Sequence, residues 1–147
     1  MPTGMLSACP DLPEALFDSG AAVLEEGGRS GKLFILKSGS VEIVKESVSL
    51  NEIDQPGAVF GEISHLLDQS HMATVRTLEP SCFYVVEDPE KFFVDNPAFA
   101  REVARLLARR LQGVTRYLVD LKRQFDRESS HLSMVDEVLE ALISQSG

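Results

Sequence analysis

Cysteine is scarce in this chain: Cys9 and Cys82 are the only two, and they form no C-x-x-C pair. A disulfide-stapled scaffold is thereby excluded, an iron–sulfur cluster would want about four cysteines, and a reducing, cytoplasmic compartment is expected. Three histidines, His65, His71 and His131, lack the His-x-His spacing that a metal-dependent jelly roll needs, so no metal is expected. Neither a G-x-S-x-G elbow nor a reactive-cysteine context is present, so no enzyme is expected. No apolar run reaches the about 18 residues of a spanning helix, and the first ten residues lack the basic start and apolar core of a signal peptide. No membrane partner is expected.

Positive charge is also short over most of the length. The formal net charge is −9, and residues 1–100 carry 6 basic against 16 acidic side chains. So acidic a body argues against nucleic acid as its partner. Residues 101–127 reverse the balance, with 8 basic and 3 acidic side chains, and residues 128–147 carry 4 acidic and no basic ones. The basic segment reads first as a solvated helix face, and second as a surface for an acidic protein partner. Only twenty residues follow Arg127, too few for a helix-turn-helix of the usual kind, so no DNA-binding domain is expected.

What is present organises around residues 57–75, G-A-V-F-G-E-I-S-H-L-L-D-Q-S-H-M-A-T-V. A Pro56-Gly57 turn leads through Gly61-Glu62 into one apolar helical turn, then through Ser70 into a strand. A loop running into a helix start presents free N–H groups and partial positive charge to an anion. At 147 residues the chain fits one domain plus an appendage, with no staple needed.

Before this stretch, residues 12–17 could be a short helix or a strand. A strand over 21–25 ends in a loop at 26–31, where three glycines occupy five positions. The continuous apolar run 33–36 suits a strand buried on both faces. Residues 41–45 and 48–53 alternate with period two and form a hairpin across Glu46-Ser47. Strands over 73–78 and 82–86 follow. Seven or so short strands at this spacing suggest a sandwich or barrel, with a jelly roll closing the edges.

The period then changes. Asp88-Pro89 caps a short helix that stops before Pro97. Residues 98–126 read as one helix, roughly 43 Å long. In it Ala100, Ala104, Leu107, Leu111, Val114, Leu118, Leu121 and Phe125 form an a/d heptad seam, the mark of a homodimer through residues 100–125. Phe99, Val103 and Leu106 form a second face that could hold the helix to the strands. The seam pauses at 128–130 and resumes in phase at Leu132, Val135, Leu139 and Leu142. Ser133 and Asp136 also make a capping box for a fresh helix, so the tail either extends the coil or folds back.

The segments V-L-E-E-G-G (23–28), L-F-I-L-K-S-G-S-V-E-I (33–43), P-G-A-V-F-G-E-I-S-H-L-L (56–67) and A-T-V-R (73–76), with the long helix, resemble the cyclic nucleotide-binding domain of catabolite-activator (Crp/Fnr-like) regulators. Kinase regulatory subunits and gated channels share that module. The resemblance covers about residues 13–127. It implies a mainly β fold with α: a jelly roll or double-stranded β-helix over 13–97, a short helix, a long dimerisation helix over 98–127, and a helical tail over 128–147.

The resemblance also implies a site. Gly61 would let the backbone approach a cyclic phosphate, and Glu62 would accept from the ribose 2′-hydroxyl. The N–H groups of Glu62 and Ile63 would face the phosphate, flanked by Phe60 and Ser64. Met72, Ala73 and Thr74 follow the position of the family's phosphate arginine, and Thr115 stands where the family can offer a hydroxyl to the purine. The arginine itself is replaced by His71. The implied ligand is cAMP or cGMP, with no cofactor required. Losing a buried bidentate guanidinium costs about 2–5 kcal/mol, so binding should be weak or absent. Arg76 should face away along its strand, and His65 reads as a half-buried surface histidine.

Overall fold

The computed structural model describes residues 11–126 and 133–146. Residues 1–10, expected to be unanchored, lie outside them with Cys9, as do the 128–130 pause, His131 and Leu132. The described chain forms two compact units, one up to Val103 and one from Ala104 onward.

The first unit is built on eight strands: β1 (Glu14–Phe17), β2 (Ala22–Leu24), β3 (Leu33–Ser38), β4 (Val41–Lys45), β5 (Val48–Ile53), β6 (Val59–Phe60), β7 (Thr74–Thr77) and β8 (Ser81–Val86). Residues 12–17, open between helix and strand, thus contain a strand. They pair into two four-stranded sheets, in the orders β1-β8-β3-β6 and β2-β7-β4-β5, and every pairing is antiparallel. These are the two layers of a jelly roll, in agreement with the fold class expected. The apolar run 33–36 is buried along its whole length because β3 lies between β8 and β6 with the second sheet over it. The β4–β5 hairpin turns where expected, with Glu46 at φ 50° and Ser47 at φ 67°. Two positive φ values give the primed turn that matches strand twist.

The core is centred on Phe83, whose ring meets the edges of Phe17, Phe34 and Phe60 at centroid distances of 5.5, 6.1 and 6.1 Å. Edge-to-face contacts of this kind add about 0.5–1.5 kcal/mol each to area burial. A second aromatic cluster lies on the helices that follow β8. Helix α2 (Pro89–Asp95), N-capped by the Asp88 side chain, brings Phe92 and Phe93 against Phe99. Phe99 and Val103, on the first turns of α3 (Pro97–Gln124), are buried. Of the three residues on the second face of this helix, Phe99 and Val103 are thus buried within the first unit.

In the second unit, α3 runs on to Gln124, and α4 (Ser133–Ser146) begins where the capping box placed it. The Lys122 ammonium meets the Asp136 carboxylate. Fourteen residues within one helix rise about 21 Å, so this contact requires the chain to reverse. The tail therefore folds back, the second of the two arrangements open from sequence. Leu139 is buried, Leu111, Leu118 and Leu121 are partly covered, and Val114 remains half exposed.

Candidate functional site

Between β6 and β7 the chain forms a loop around a single short helix, α1 (Glu62–Leu67). Its start depends on Gly61, which caps the helix in the left-handed region at φ 94°. A Cβ there would lie 2.7 Å from the Lys32 carbonyl oxygen, so two backbones meet at a spacing only glycine permits. Glu62 follows and is 3% exposed. The helix ends at Asp68, also left-handed at φ 51°, whose N–H bonds back to the His65 carbonyl.

The far end of the loop is pinned through His71. Its N–H donates to the Gly28 carbonyl at 2.8 Å, and the Gly27 N–H donates to the His71 carbonyl at 2.8 Å. The imidazole is buried and both its nitrogens are occupied. The Ser30 N–H donates to Nε2 at 3.2 Å, and the Ser30 hydroxyl lies 3.1 Å away. Nδ1 lies 2.8 Å from Ser64 Oγ, which in turn donates to the Gly61 carbonyl at 3.1 Å. Because Nε2 accepts a backbone N–H, the network assigns the ring proton to Nδ1, and the imidazole is neutral. Burial pushes its pKa below the ordinary histidine value. The same tautomer argues against a Ser64–His71 nucleophilic pair: Nδ1 donates to the hydroxyl, whereas a general base must accept from it.

A cavity of about 200 Å³ opens beside this network. Gly61, Gln69 and His71 line it from the loop, with Ser64 and His65 from α1. Arg29, Ser30 and Lys32 close it from the glycine-rich segment. Arg29 pairs with Asp68 at 3.4 Å and Lys32 with Glu87 at 3.4 Å, all four largely exposed.

Of the residues expected in the site, Gly61, Ser64 and His71 come together at this cavity, and the others do not line it. Phe60 is buried against Phe83, and Ile63 and Ala73 are half buried. Met72 is 50% exposed, and its carbonyl accepts from Lys45 Nζ at 2.9 Å. The Thr74 hydroxyl accepts the Glu26 N–H at 3.0 Å. Thr115 lies in the second unit, where its hydroxyl donates to the Leu111 carbonyl at 2.9 Å. Arg76 is engaged elsewhere, donating to the Gly20 carbonyl at 3.0 Å. His65 is half buried, as expected, and lies against the Phe93 ring. Sequence reasoning read 26–31 as a loop and missed its part in the site. The one available signal was its glycine density, which let Ser30 turn its N–H inward.

The family described as "Cyclic nucleotide-binding domain" matches residues 15–92. A cAMP-dependent protein kinase regulatory subunit of Yarrowia lipolytica is 30% identical over 81 residues, 55% of this chain and 21% of that protein. The chain thus spans about a fifth of that relative's length. Among solved structures, the catabolite activator protein of Thermus thermophilus aligns with a TM-score of 0.65 at 21% identity, over 99% of this chain and 85% of that one. A regulatory subunit of a cAMP-independent protein kinase A from Trypanosoma cruzi, bound to guanosine, aligns with a TM-score of 0.54 at 22% identity, over 64% and 39%.

Proposed function

The chain belongs to the cyclic nucleotide-binding domain family, and from that membership we propose that it is a regulatory sensor whose 57–75 cassette engages a nucleotide-type ligand, with cAMP and cGMP bound only weakly. Gly61 and the buried Glu62 supply the backbone approach and the ribose acceptor. His71 supplies no positive charge where a cyclic phosphate would sit. The observation that carries this reading is the acceptance of the Ser30 N–H by His71 Nε2. A nitrogen that accepts cannot also present a proton to phosphate. Occupancy would be transmitted through the long helix in a homodimer joined along residues 100–125. A wild-type chain that sediments as a monomer at micromolar concentration would contradict the dimer.

Calorimetry tests the ligand. Near pH 7, cAMP and cGMP should bind the wild type weakly or not at all. The His71→Arg substitution should strengthen binding by about 30-fold or more, the equivalent of at least 2 kcal/mol. If His71→Arg gains nothing, the cassette is closed to nucleotides.

A second reading is a scaffold that works through protein contacts without nucleotide. It is favoured by a groove of about 830 Å³ on α3, lined by Arg105, Arg109, Gln112 and Arg116 around Leu111 and Thr115. A basic rim over an apolar floor suits an acidic helical partner. If His71→Arg binds no nucleotide, that groove becomes the functional surface.

A further inference from the structure

The end of the cassette that should be positive is neutral because of its own hydrogen bonds. The Ser30 N–H points at Nε2 of His71, so that nitrogen keeps its lone pair, and the ring proton sits on Nδ1 against Ser64. A second proton would set two N–H groups against each other at Nε2. The two cations beside the cavity are matched by carboxylates, Arg29 by Asp68 and Lys32 by Glu87, each at 3.4 Å on the surface.

A phosphodiester entering here would exchange hydration for backbone N–H groups alone, with no buried positive side chain among the described residues to meet it. A neutral polyhydroxyl molecule meets a different surface. Gln69 lines the cavity with an amide that donates and accepts, and the Ser30 and Ser64 hydroxyl oxygens keep acceptor capacity beside it. At about 200 Å³ the cavity lies below the roughly 300–1,000 Å³ of most ligand pockets, so it suits a sugar-sized portion of a ligand. We infer that at neutral pH this cassette selects an uncharged nucleoside over a cyclic nucleotide. The inference rests on the nucleotide-type reading above: a nucleoside is what that ligand class becomes when its phosphate is removed.

The test is calorimetric titration of adenosine, guanosine, cAMP and cGMP at pH 7.5 into the wild type, His71→Arg and His71→Gln, each first verified by a cooperative melt. The expected result is that one or both nucleosides bind the wild type at least 10-fold more tightly than their cyclic counterparts. His71→Gln, which stays neutral, should keep that order, and His71→Arg should reverse it. Should His71→Arg fail to melt cooperatively, the wild type and His71→Gln carry the comparison. Cyclic nucleotides binding the wild type as tightly as nucleosides would overturn the selectivity and leave the sensor reading standing. Cyclic nucleotides binding only to His71→Arg, with no nucleoside binding to the wild type, would do the same. No binding by any ligand to any of the three proteins would overturn both.

Discussion

The two ends of the 57–75 cassette are held by different physics. At its start, Gly61 meets the Lys32 carbonyl backbone to backbone, and the left-handed φ of 94° leaves glycine as the fitting residue. At its end, a pair of backbone hydrogen bonds with Gly27 and Gly28 pins His71, and its ring is held by the Ser30 N–H and the Ser64 hydroxyl. The first kind of constraint tolerates no substitution without moving two chains. The second can exchange a charged group for a neutral one while both strands stay in place. The shape of the cassette and the charge it presents therefore rest on different contacts, and the two should be judged separately when function is assigned from fold.

The largest effect should come from attacking the backbone end. Gly61→Val forces a β-branched residue into positive φ and drives its Cβ into the Lys32 carbonyl. Stability should fall by about 2–4 kcal/mol, read from urea unfolding. A loss under 0.5 kcal/mol would mean that the close approach is not a constraint. The histidine end should respond less. Ser64→Ala leaves the Nδ1–H of a buried imidazole without its acceptor and should cost about 1–2 kcal/mol. Ser30→Ala should cost less, about 0.5 kcal/mol, because the backbone N–H still donates to Nε2. Equal costs at the two serines would place the lock in the hydroxyls rather than the backbone.

The smallest effect is that of pH. Burial lowers the His71 pKa in the folded state, so between the folded and unfolded values the unfolded chain binds more protons. Stability is then complete above about pH 6.5 and declines as pH falls below it, levelling off beneath the folded pKa. Melting temperatures of the wild type and His71→Gln, followed from pH 7.5 to 5, should diverge in that sense. Parallel curves would remove His71 as the titrating group.

Much of the fold was legible because its signals are local. Alternation marked β4 and β5, the apolar run marked β3, and Asp88-Pro89 marked α2. The two-residue β6 was not legible, since Val59-Phe60 has no period to read and is a strand only by pairing with Phe34 and Ile35. Nor was the reversal of the tail, since the heptad phase continues across the break and fits either geometry. Within the site, it was the resemblance that put His71 at the position of the family's phosphate arginine. What holds the His71 ring was not legible, because Ser30 lies 41 positions away and its donor to Nε2 is a main-chain N–H, which carries no side-chain signature. Arg29, Lys32 and Asp68 went unread for the same reason: nothing in the sequence ties the glycine-rich loop to α1.

The neutrality of the histidine end can be observed directly by nitrogen-detected NMR of the His71 ring through a pH titration. The ring should be neutral at pH 7, protonated at Nδ1 and bare at Nε2, with a pKa below the ordinary 6.5. An imidazolium at pH 7, or a neutral ring protonated at Nε2, would contradict the lock and return the cassette to an anion site.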